Sequence, residues 1–243
     1  MPQPVILYQK TASHVARITL NHPAVGNAID AQMAQELADA CRQADGDGGV
    51  YAVVIDGAGD VFCTGGETGA YASGAVGAMG KPVIAVLNGD ALGQGLEIAL
   101  ACDIRIAAST ARFGFPQVGA GTIPLDGGTQ RLPRLIGKGK ALEMVLLAQT
   151  VTAAEALEMG LVSKVVPPEA LAAEADTLSQ AMAAKAPIAL RYIKEAVNQG
   201  LDMTLEQGLR LEADLYFLLH TTADRTEGIR AFQQKRKPDF KGQ

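Results

Sequence analysis

Short apolar runs alternate with amphipathic stretches along the first half of the chain. Four of these runs are rich in β-branched residues and end in turn residues, which predicts strands over residues 14–21, 51–59, 81–91 and 102–109. Residues 30–44 repeat their apolar positions at helical spacing, and a further helix is predicted to open on Gly95. Because strands that alternate with helices form a largely parallel sheet covered on its faces, the pattern predicts an α/β fold.

The pattern changes after Gly128, where strands give way to helices. Five segments have helical period, namely residues 139–148, 152–160, 168–184, 187–200 and 204–221. We therefore predict a core over residues 1–187 and a helical C-terminal region over residues 188–243. Within the core, residues 68–80 are rich in glycine and alanine, which predicts a short mobile loop or frayed helix over a site.

Composition excludes several classes of protein. The 243 residues are 48% hydrophobic, which is enough for a sizeable core. The formal net charge is −5, and no basic patch dominates the sequence. We therefore expect no nucleic-acid partner. The three cysteines are odd in number and lack CxxC spacing, and the three histidines are scattered, so neither a disulfide framework nor a metal site is expected.

Targeting signals are also missing from the pattern. No apolar run approaches the ~20 residues that span a bilayer, so no membrane association is expected. The first ten residues lack the charged and apolar regions of a signal peptide. A cytoplasmic location is the expectation.

Two glycine-rich segments stand where a strand meets a helix. Gly65 and Gly66 follow one strand, and Gly93, Gln94 and Gly95 precede a helix. Glycine lets backbone N–H groups approach a ligand closely, and N–H groups at a helix N-terminus carry partial positive charge. Two such groups that face one point would form an oxyanion hole. Ordinary tight turns between strand and helix are the alternative interpretation of each segment alone.

A dinucleotide-binding fingerprint is a weaker interpretation of the second segment. Ile98 stands where that motif requires its third glycine. No acidic residue follows on a second strand some twenty residues on. We therefore favour the oxyanion-hole interpretation of the two segments taken together.

The motifs in combination resemble those of the crotonase (enoyl-CoA hydratase/isomerase) superfamily. They are "FCTGGE", "NGDALGQGLEIALACDIRIAA" and "FGFPQVGAGTIPLDGG", in this order. "ITLNHPAVGNAID", "LAQTVTAAEALEMGLVSKVV" and "TTADRTEGIRAFQQKRKPDF" extend the resemblance over nearly the whole chain. It implies a spiral of ββα turns with a helical C-terminal trimerisation region, in a trimer or a dimer of trimers. It also implies an acyl-CoA substrate, with coenzyme A bound as part of that substrate and no permanently bound cofactor.

The resemblance assigns binding roles to both glycine segments. The thioester carbonyl is expected between the backbone N–H groups of Gly66 and Gln94. The family usually has glycine at the second position, but the donor is a backbone group, so Gln94 can supply it.

The resemblance implies that five further residues contact the substrate or its CoA portion. They are Thr64, Gly65, Gly93, Phe232 and Lys235. The last two match a C-terminal helix that commonly contacts CoA from a neighbouring subunit, where Lys235 would pair with a phosphate. A solvated helix end is the alternative for both.

Three residues are candidates for proton transfer. Glu97 matches one of the two glutamates that flank the substrate double bond in family hydratases, and Gln117 matches the other. A neutral amide cannot exchange a proton usefully near pH 7, so Gln117 leaves the second position without its acid. A structural hydrogen bond in the core is the alternative for Glu97.

Asp126 is the third candidate. Dienoyl-CoA isomerases, 4-chlorobenzoyl-CoA dehalogenase and dihydroxynaphthoyl-CoA synthases place a working aspartate in or near this turn. Asp126 is accordingly a base or a nucleophile, or only the N-cap of the helix that follows.

The expected function is that of an enoyl-CoA hydratase-like lyase. The alternatives are an enoyl- or dienoyl-CoA double-bond isomerase and an acyl-CoA hydrolase, which would use Glu97, Asp126 or both. A non-catalytic acyl-CoA-binding paralogue is the alternative from another class of protein.

Overall fold

The computed structural model of the chain describes residues 4–66 and 69–243. Glu67 and Thr68, which fall in the predicted "FCTGGE" motif and at the start of the predicted loop, lie outside the described residues. The strands are β1 (Ile6–Lys10), β2 (Val15–Leu20), β3 (Ala52–Gly57), β4 (Val83–Leu87), β5 (Ala91–Leu92), β6 (Ile104–Ala108), β7 (Arg112–Gly114), β8 (Thr150–Thr152) and β9 (Lys164–Val166).

Ten helices are described beside these strands. They are α1 (Ala31–Gly46), α2 (Ser73–Gly77), α3 (Gln94–Ala101), α4 (Gly128–Ile136), α5 (Lys138–Leu147), α6 (Ala153–Glu158), α7 (Pro168–Ala183), α8 (Pro187–Gly200), α9 (Leu205–Leu219) and α10 (Ala223–Gln233). Pro23–Val25 and Pro116–Ala120 form short 3₁₀ helices. The Asp30 side chain starts α1 by accepting a hydrogen bond from the Met33 N–H at 2.7 Å.

A six-stranded sheet forms the centre of the molecule, in the order β1-β2-β3-β4-β6-β9. Only β1 runs antiparallel to its neighbour, and the other pairs are parallel. The inner strand β4 is buried along its whole length. Burial on both faces explains why this strand is a continuous apolar run, and it confirms the predicted α/β class.

A second, three-stranded sheet of β5, β7 and β8 lies beside the first. Isolated parallel bridges join Cys63 to Ala91 and Ile29 to Gly66 in the same region. The chain therefore repeats one path: a strand of the large sheet, a short strand or bridge in the second layer, then a helix. This is a spiral of ββα turns.

The run predicted as one strand over 81–91 is two strands that belong to different sheets. The chain turns at Gly89, where an added methyl group would collide with the Asp60 carbonyl oxygen. The close approach of these two backbones separates β4 from β5 and carries the chain into the second layer.

Two apolar clusters cover the opposite faces of the large sheet. Val53 and Ile55 point toward the cluster that includes α1 and α3, while Val54 between them points toward Leu171 and Ala175 of α7. All described members of both clusters precede residue 184. The predicted boundary near residue 187 is in keeping with this and stays a prediction.

The helices α8 to α10 leave large apolar side chains exposed to solvent. These side chains are Ile193, Val197, Leu205, Leu209, Tyr216, Phe217, Leu218, Ile229 and Phe232. None of the helices in the described ranges is both long and apolar enough to cross a lipid bilayer.

Candidate active site

The two glycine segments meet at one place in the fold. A methyl group added to Gly93 would lie 3.6 Å from the Cα atom of Gly65 and 3.1 Å from the Nε2 atom of Gln117. The Leu92 N–H donates to the Cys63 carbonyl at 2.9 Å and ties the segments together. Three positions far apart in sequence therefore converge, as the combined motifs predict.

We call this meeting place of Gly65, Gly66 and Gly93 the glycine crossing. Glycine is required there for two separate reasons. Gly93 has φ 52° and ψ −122°, a conformation that L side chains rarely adopt. A methyl group at Gly66 would collide with the Ile29 carbonyl oxygen and with the Gln94 side chain. Gly66 and Gly93 consequently present backbone atoms that no side chain of their own covers.

The backbone N–H groups of Gly66 and Gln94 are the predicted oxyanion donors, and that role stays a prediction. Gln94 is the first residue of α3, where N–H groups point outward along the helix axis and carry partial positive charge. In the parallel bridge between Ile29 and Gly66, the Ile29 N–H donates to the Gly65 carbonyl at 2.8 Å. The N–H of Gly66 is therefore directed away from Ile29.

The Gln94 side chain occupies space beside these donors. Its Nε2 donates to the Ala70 carbonyl oxygen, and the side chain lies against Gly66. It thus links the first turn of α3 to the segment before α2. The glycine usual at this position in the family cannot form this link.

Glu97 lies fully buried one helical turn after Gly93, whose carbonyl accepts its N–H at 3.0 Å. Its Oε1 atom accepts hydrogen bonds from the N–H groups of Asp126 and Gly128, both at 2.8 Å. Its Oε2 atom is buried and has no hydrogen-bond partner among the described residues. Such an atom in a native fold calls for an explanation, for which a catalytic role and an ordered water are the two usual kinds.

The environment of Glu97 raises the pKa of its carboxyl group above the ordinary value of 4.5. Burial is the largest cause, because the charged form loses its hydration. The two backbone hydrogen bonds act in the opposite direction, Asp126 adds to the increase, and Arg131 opposes it. A carboxyl group with a raised pKa is suited to take up and release a proton near neutral pH.

Gln117 lies on the 3₁₀ helix Pro116–Ala120, with its amide beside Gly93. Its Oε1 atom is buried and has no hydrogen-bond partner among the residues described. The structure thus brings the amide to the glycine crossing, where the resemblance implies an acid.

Asp126 does not cap the helix that follows it, which was one of its predicted roles. The helix α4 begins at Gly128 after Gly127, with φ 104°, and has no side-chain cap. The Asp126 carboxylate turns instead toward α2, where Oδ2 accepts the N–H groups of Ala72 at 2.8 Å and Ser73 at 2.7 Å. A direct role of Asp126 as base or nucleophile stays a prediction.

Sequence reasoning did not single out two residues of this cluster, Ser73 and Arg131. The Ser73 hydroxyl donates to Asp126 Oδ1 at 2.9 Å and also bonds the Asp126 carbonyl. The Arg131 Nη1 atom lies 2.8 Å from Ser73 Oγ and 3.2 Å from the Asp126 carbonyl oxygen. Arg131 stands five residues after Asp126, outside the spacing of three or four residues that marks neighbours on a helix, and nothing in the pattern marks Ser73.

The remaining predicted binding residues are Thr64, which directly precedes Gly65 in the chain, and Phe232 and Lys235 near the C-terminus. Thr64 donates from its hydroxyl to the Gly26 carbonyl at 3.2 Å and is exposed. Phe232 on α10 is 85% exposed, and Lys235 follows that helix with φ 53°. No hydrogen bond or ion pair among the described residues joins Phe232 or Lys235 to the glycine segments, and their role in CoA binding stays a prediction.

Comparison with known proteins matches this fold and site to one family. The family described as Enoyl-CoA hydratase/isomerase matches residues 10–79 and 73–243. Crotonyl-CoA hydratase of Syntrophomonas wolfei is 39% identical over 93% of this chain and 94% of its own. The 2,3-dehydroadipyl-CoA hydratase of Escherichia coli is 40% identical over 94% of this chain and 95% of its own.

A solved structure agrees with the fold over almost the full length. The enoyl-CoA hydratase of Bacillus anthracis superimposes with a TM-score of 0.95 and 36% identity, covering 98% of this chain and 100% of that one. The chain belongs to the enoyl-CoA hydratase/isomerase family. This confirms the predicted crotonase-like α/β class with its helical C-terminal region, while trimerisation stays a prediction.

Proposed function

We propose that the protein is an enoyl-CoA hydratase-like enzyme in which Glu97 carries the proton. The thioester carbonyl of the substrate lies between the N–H groups of Gly66 and Gln94. The observation that carries the proposal is the Glu97 carboxyl group, which is fully buried, with Oε1 held by two backbone amides and Oε2 without a partner among the described residues. The names of the hydratase relatives at about 40% identity support the same reaction.

The proposed reaction needs only one carboxyl group. Glu97 takes a proton from water as the water oxygen bonds to Cβ of the substrate, and the electron pair of the double bond moves onto the thioester oxygen. The two N–H groups stabilise the resulting enolate, a type of interaction worth about 3 kcal/mol for each donor. Glu97 then returns the proton to Cα, and the Gln117 amide oxygen accepts a hydrogen bond from the reacting water.

Incubation of the purified protein with crotonyl-CoA tests the proposal. We expect a product that is heavier by one water, detected by mass spectrometry. Release of free CoA would instead indicate a hydrolase. Binding of crotonyl-CoA without turnover of this or other unsaturated acyl-CoA compounds would indicate a non-catalytic binder and overturn the proposal.

Double-bond isomerisation is a second candidate, which the amide at Gln117 also allows. Moving a double bond takes one proton off the substrate and returns it to another carbon, so a single carboxyl group suffices. A 3-enoyl-CoA substrate would then keep its mass while its absorbance changes to that of the 2-enoyl isomer. The ratio of kcat/KM for hydration of crotonyl-CoA to kcat/KM for isomerisation of the 3-enoyl-CoA substrate decides between the two functions.

Replacing Gln94 by proline is expected to lower kcat about 10²–10³-fold. Proline removes the proposed donor N–H, yet the first position of a helix accommodates it well. The matched control is Gln94→Ala, which keeps the N–H and, like proline, removes the side-chain link to Ala70. Equal kcat values for the two variants, with folding confirmed by circular dichroism, would contradict the oxyanion role.

We also propose that the chain assembles into trimers or pairs of trimers through its C-terminal helices. Exposed apolar side chains on α8 to α10 support this, since a monomer rarely leaves so many together in water. Light scattering at micromolar concentration is expected to give three or six times the mass of one chain, 25.3 kDa. The mass of a single chain would contradict assembly and, with it, a role for Phe232 and Lys235 across a subunit boundary.

A further inference from the structure

We infer that Asp126 is a positioning residue, which fixes the Glu97 carboxylate by locking the turn before α4 onto the start of α2. The inference rests on the proposed function, because it takes Glu97 as the proton carrier. It replaces the two roles predicted for Asp126 from sequence, a reacting group or the cap of α4, with a third that the contacts define.

Asp126 holds two elements at once through different atoms. Its backbone N–H donates to Glu97 Oε1 at 2.8 Å, and the Gly128 N–H two residues later does the same. Its side chain accepts hydrogen bonds from Ala72 N–H, Ser73 N–H and Ser73 Oγ at 2.7 to 2.9 Å. The position of the two amides that hold Glu97 therefore depends on the anchoring of the Asp126 side chain.

The helix α2 supplies donors for this anchor because it has no cap of its own. Its N-cap residue is Ala72, whose side chain cannot accept a hydrogen bond. The carboxylate of Asp126 thus acts as a cap from a distant part of the chain. Arg131 closes the cluster from α4 by bonding Ser73 Oγ and the Asp126 carbonyl.

The contacts of Asp126 favour positioning over direct reaction. Both carboxylate oxygens of Asp126 accept hydrogen bonds, three in total. A base or nucleophile needs an oxygen that can reach the substrate. In Glu97, by contrast, Oε2 lacks a hydrogen-bond partner among the described residues.

The charge of Asp126 also affects the pKa of Glu97, which can be measured. Two charged groups face Glu97, namely Asp126 in the turn before α4 and Arg131 on α4, while α2 presents the uncharged Ser73. The negative charge of Asp126 contributes to the raised pKa of Glu97. Removing that charge lowers the pKa of Glu97, so the ionised form persists to lower pH.

The experiment compares Asp126→Ala with Asp126→Asn. Alanine removes the anchor, so we expect kcat to fall about 10–100-fold with little change in KM, as misplaced catalytic groups produce. Asparagine keeps an acceptor for the α2 amides, so we expect kcat to recover to within a few-fold of wild type. In this second variant, the acid limb of the kcat/KM profile should move to lower pH.

The matched control is Asp224, a buried aspartate that accepts two backbone N–H groups, from Lys241 at 2.7 Å and Gly242 at 2.9 Å. Asp224→Ala is expected to lower thermal stability without moving the pH profile. A kcat for Asp126→Asn as low as that for Asp126→Ala would show that Asp126 itself reacts. Wild-type kcat and an unchanged profile in both Asp126 variants would show a merely structural role, and either result overturns the inference.

A readout that needs no turnover separates this inference from the proposed function. Carboxyl-labelled glutamate allows the Glu97 signal to be followed by carbon-13 NMR and assigned through Glu97→Gln. We expect this signal to titrate at lower pH in Asp126→Asn than in wild type, and an unmoved titration would contradict the inference. Failure of the proposed function would show differently, as absence of any acyl-CoA reaction that depends on Glu97.

Discussion

Replacing Glu97 by glutamine is expected to lower kcat for crotonyl-CoA hydration about 10²–10⁴-fold, the usual contribution of a positioned acid or base. Glutamine has nearly the same shape, and its amide oxygen can still accept the N–H groups of Asp126 and Gly128. The fold and KM should therefore change little. What is lost is the proton that the carboxyl group takes up and releases.

Glu36→Gln is the matched control for this substitution. Glu36 on α1 also accepts two backbone N–H groups, from Val5 and Ile6, both at 3.2 Å. We expect its replacement to leave kcat unchanged. A similar loss in both variants would indicate that the effect of Glu97→Gln comes from disturbed folding and not from lost proton transfer.

The pH dependence of the wild type follows from the raised pKa of Glu97. As base, Glu97 must be ionised, so kcat/KM is expected to fall as pH drops through this pKa. Because burial raises the pKa, the acid limb should lie above 4.5, the ordinary value for a glutamate. The residual activity of Glu97→Gln should lack this limb, and its persistence would assign the titration to another group.

Much of the large sheet could be predicted from local sequence pattern. Buried parallel strands such as β4 are continuous apolar runs, and α1 repeats its apolar positions at helical spacing. The strands β7, β8 and β9 have three residues each, too few for any period to show. The division of residues 81–91 into two strands depends on contact with the Asp60 carbonyl, which no local pattern reveals.

The glycine crossing could be predicted only in part. Gly66, Gln94 and Gln117 were selected through resemblance to a family, and the structure shows them close to one another. The role of Asp126 could not be predicted in the same way. From sequence it is a base, a nucleophile or the cap of α4, whereas its hydrogen-bond partners at the start of α2 lie more than fifty residues earlier.

The segment before α4 also contacts part of residues 68–80. Their glycine and alanine content predicts a short mobile loop or frayed helix over a site; the described part contains the short helix α2, in which Ser73 and Val76 are buried. The mobility of this segment stays a prediction. Asp126 supplies the cap that the segment itself lacks. Composition could not show this, because the stabilising group belongs to another part of the chain.

Gln117→Glu is expected to raise crotonyl-CoA hydration by about 10²–10⁴-fold if the enzyme works with a single carboxyl group. The substitution keeps the size of the side chain beside Gly93 and supplies the acid that family hydratases have there. Glu97 could then act on the water while the new carboxyl group protonates Cα. The two proton transfers would no longer depend on one group.

Gln117→Met separates the new acid from the loss of the amide, since methionine has similar size and neither accepts nor donates a strong hydrogen bond. If the Gln117 amide oxygen orients water, this variant should lose hydration, whereas Gln117→Glu gains it. Adding Gln117→Glu to the Glu97→Gln variant shows whether the new carboxyl group can act alone, and we expect it to restore only a small part of the rate. Unchanged turnover in both Gln117 variants, for hydration and isomerisation alike, would mean that position 117 does not touch the reacting atoms and that the stretch around it only shapes the turn beside the glycine crossing.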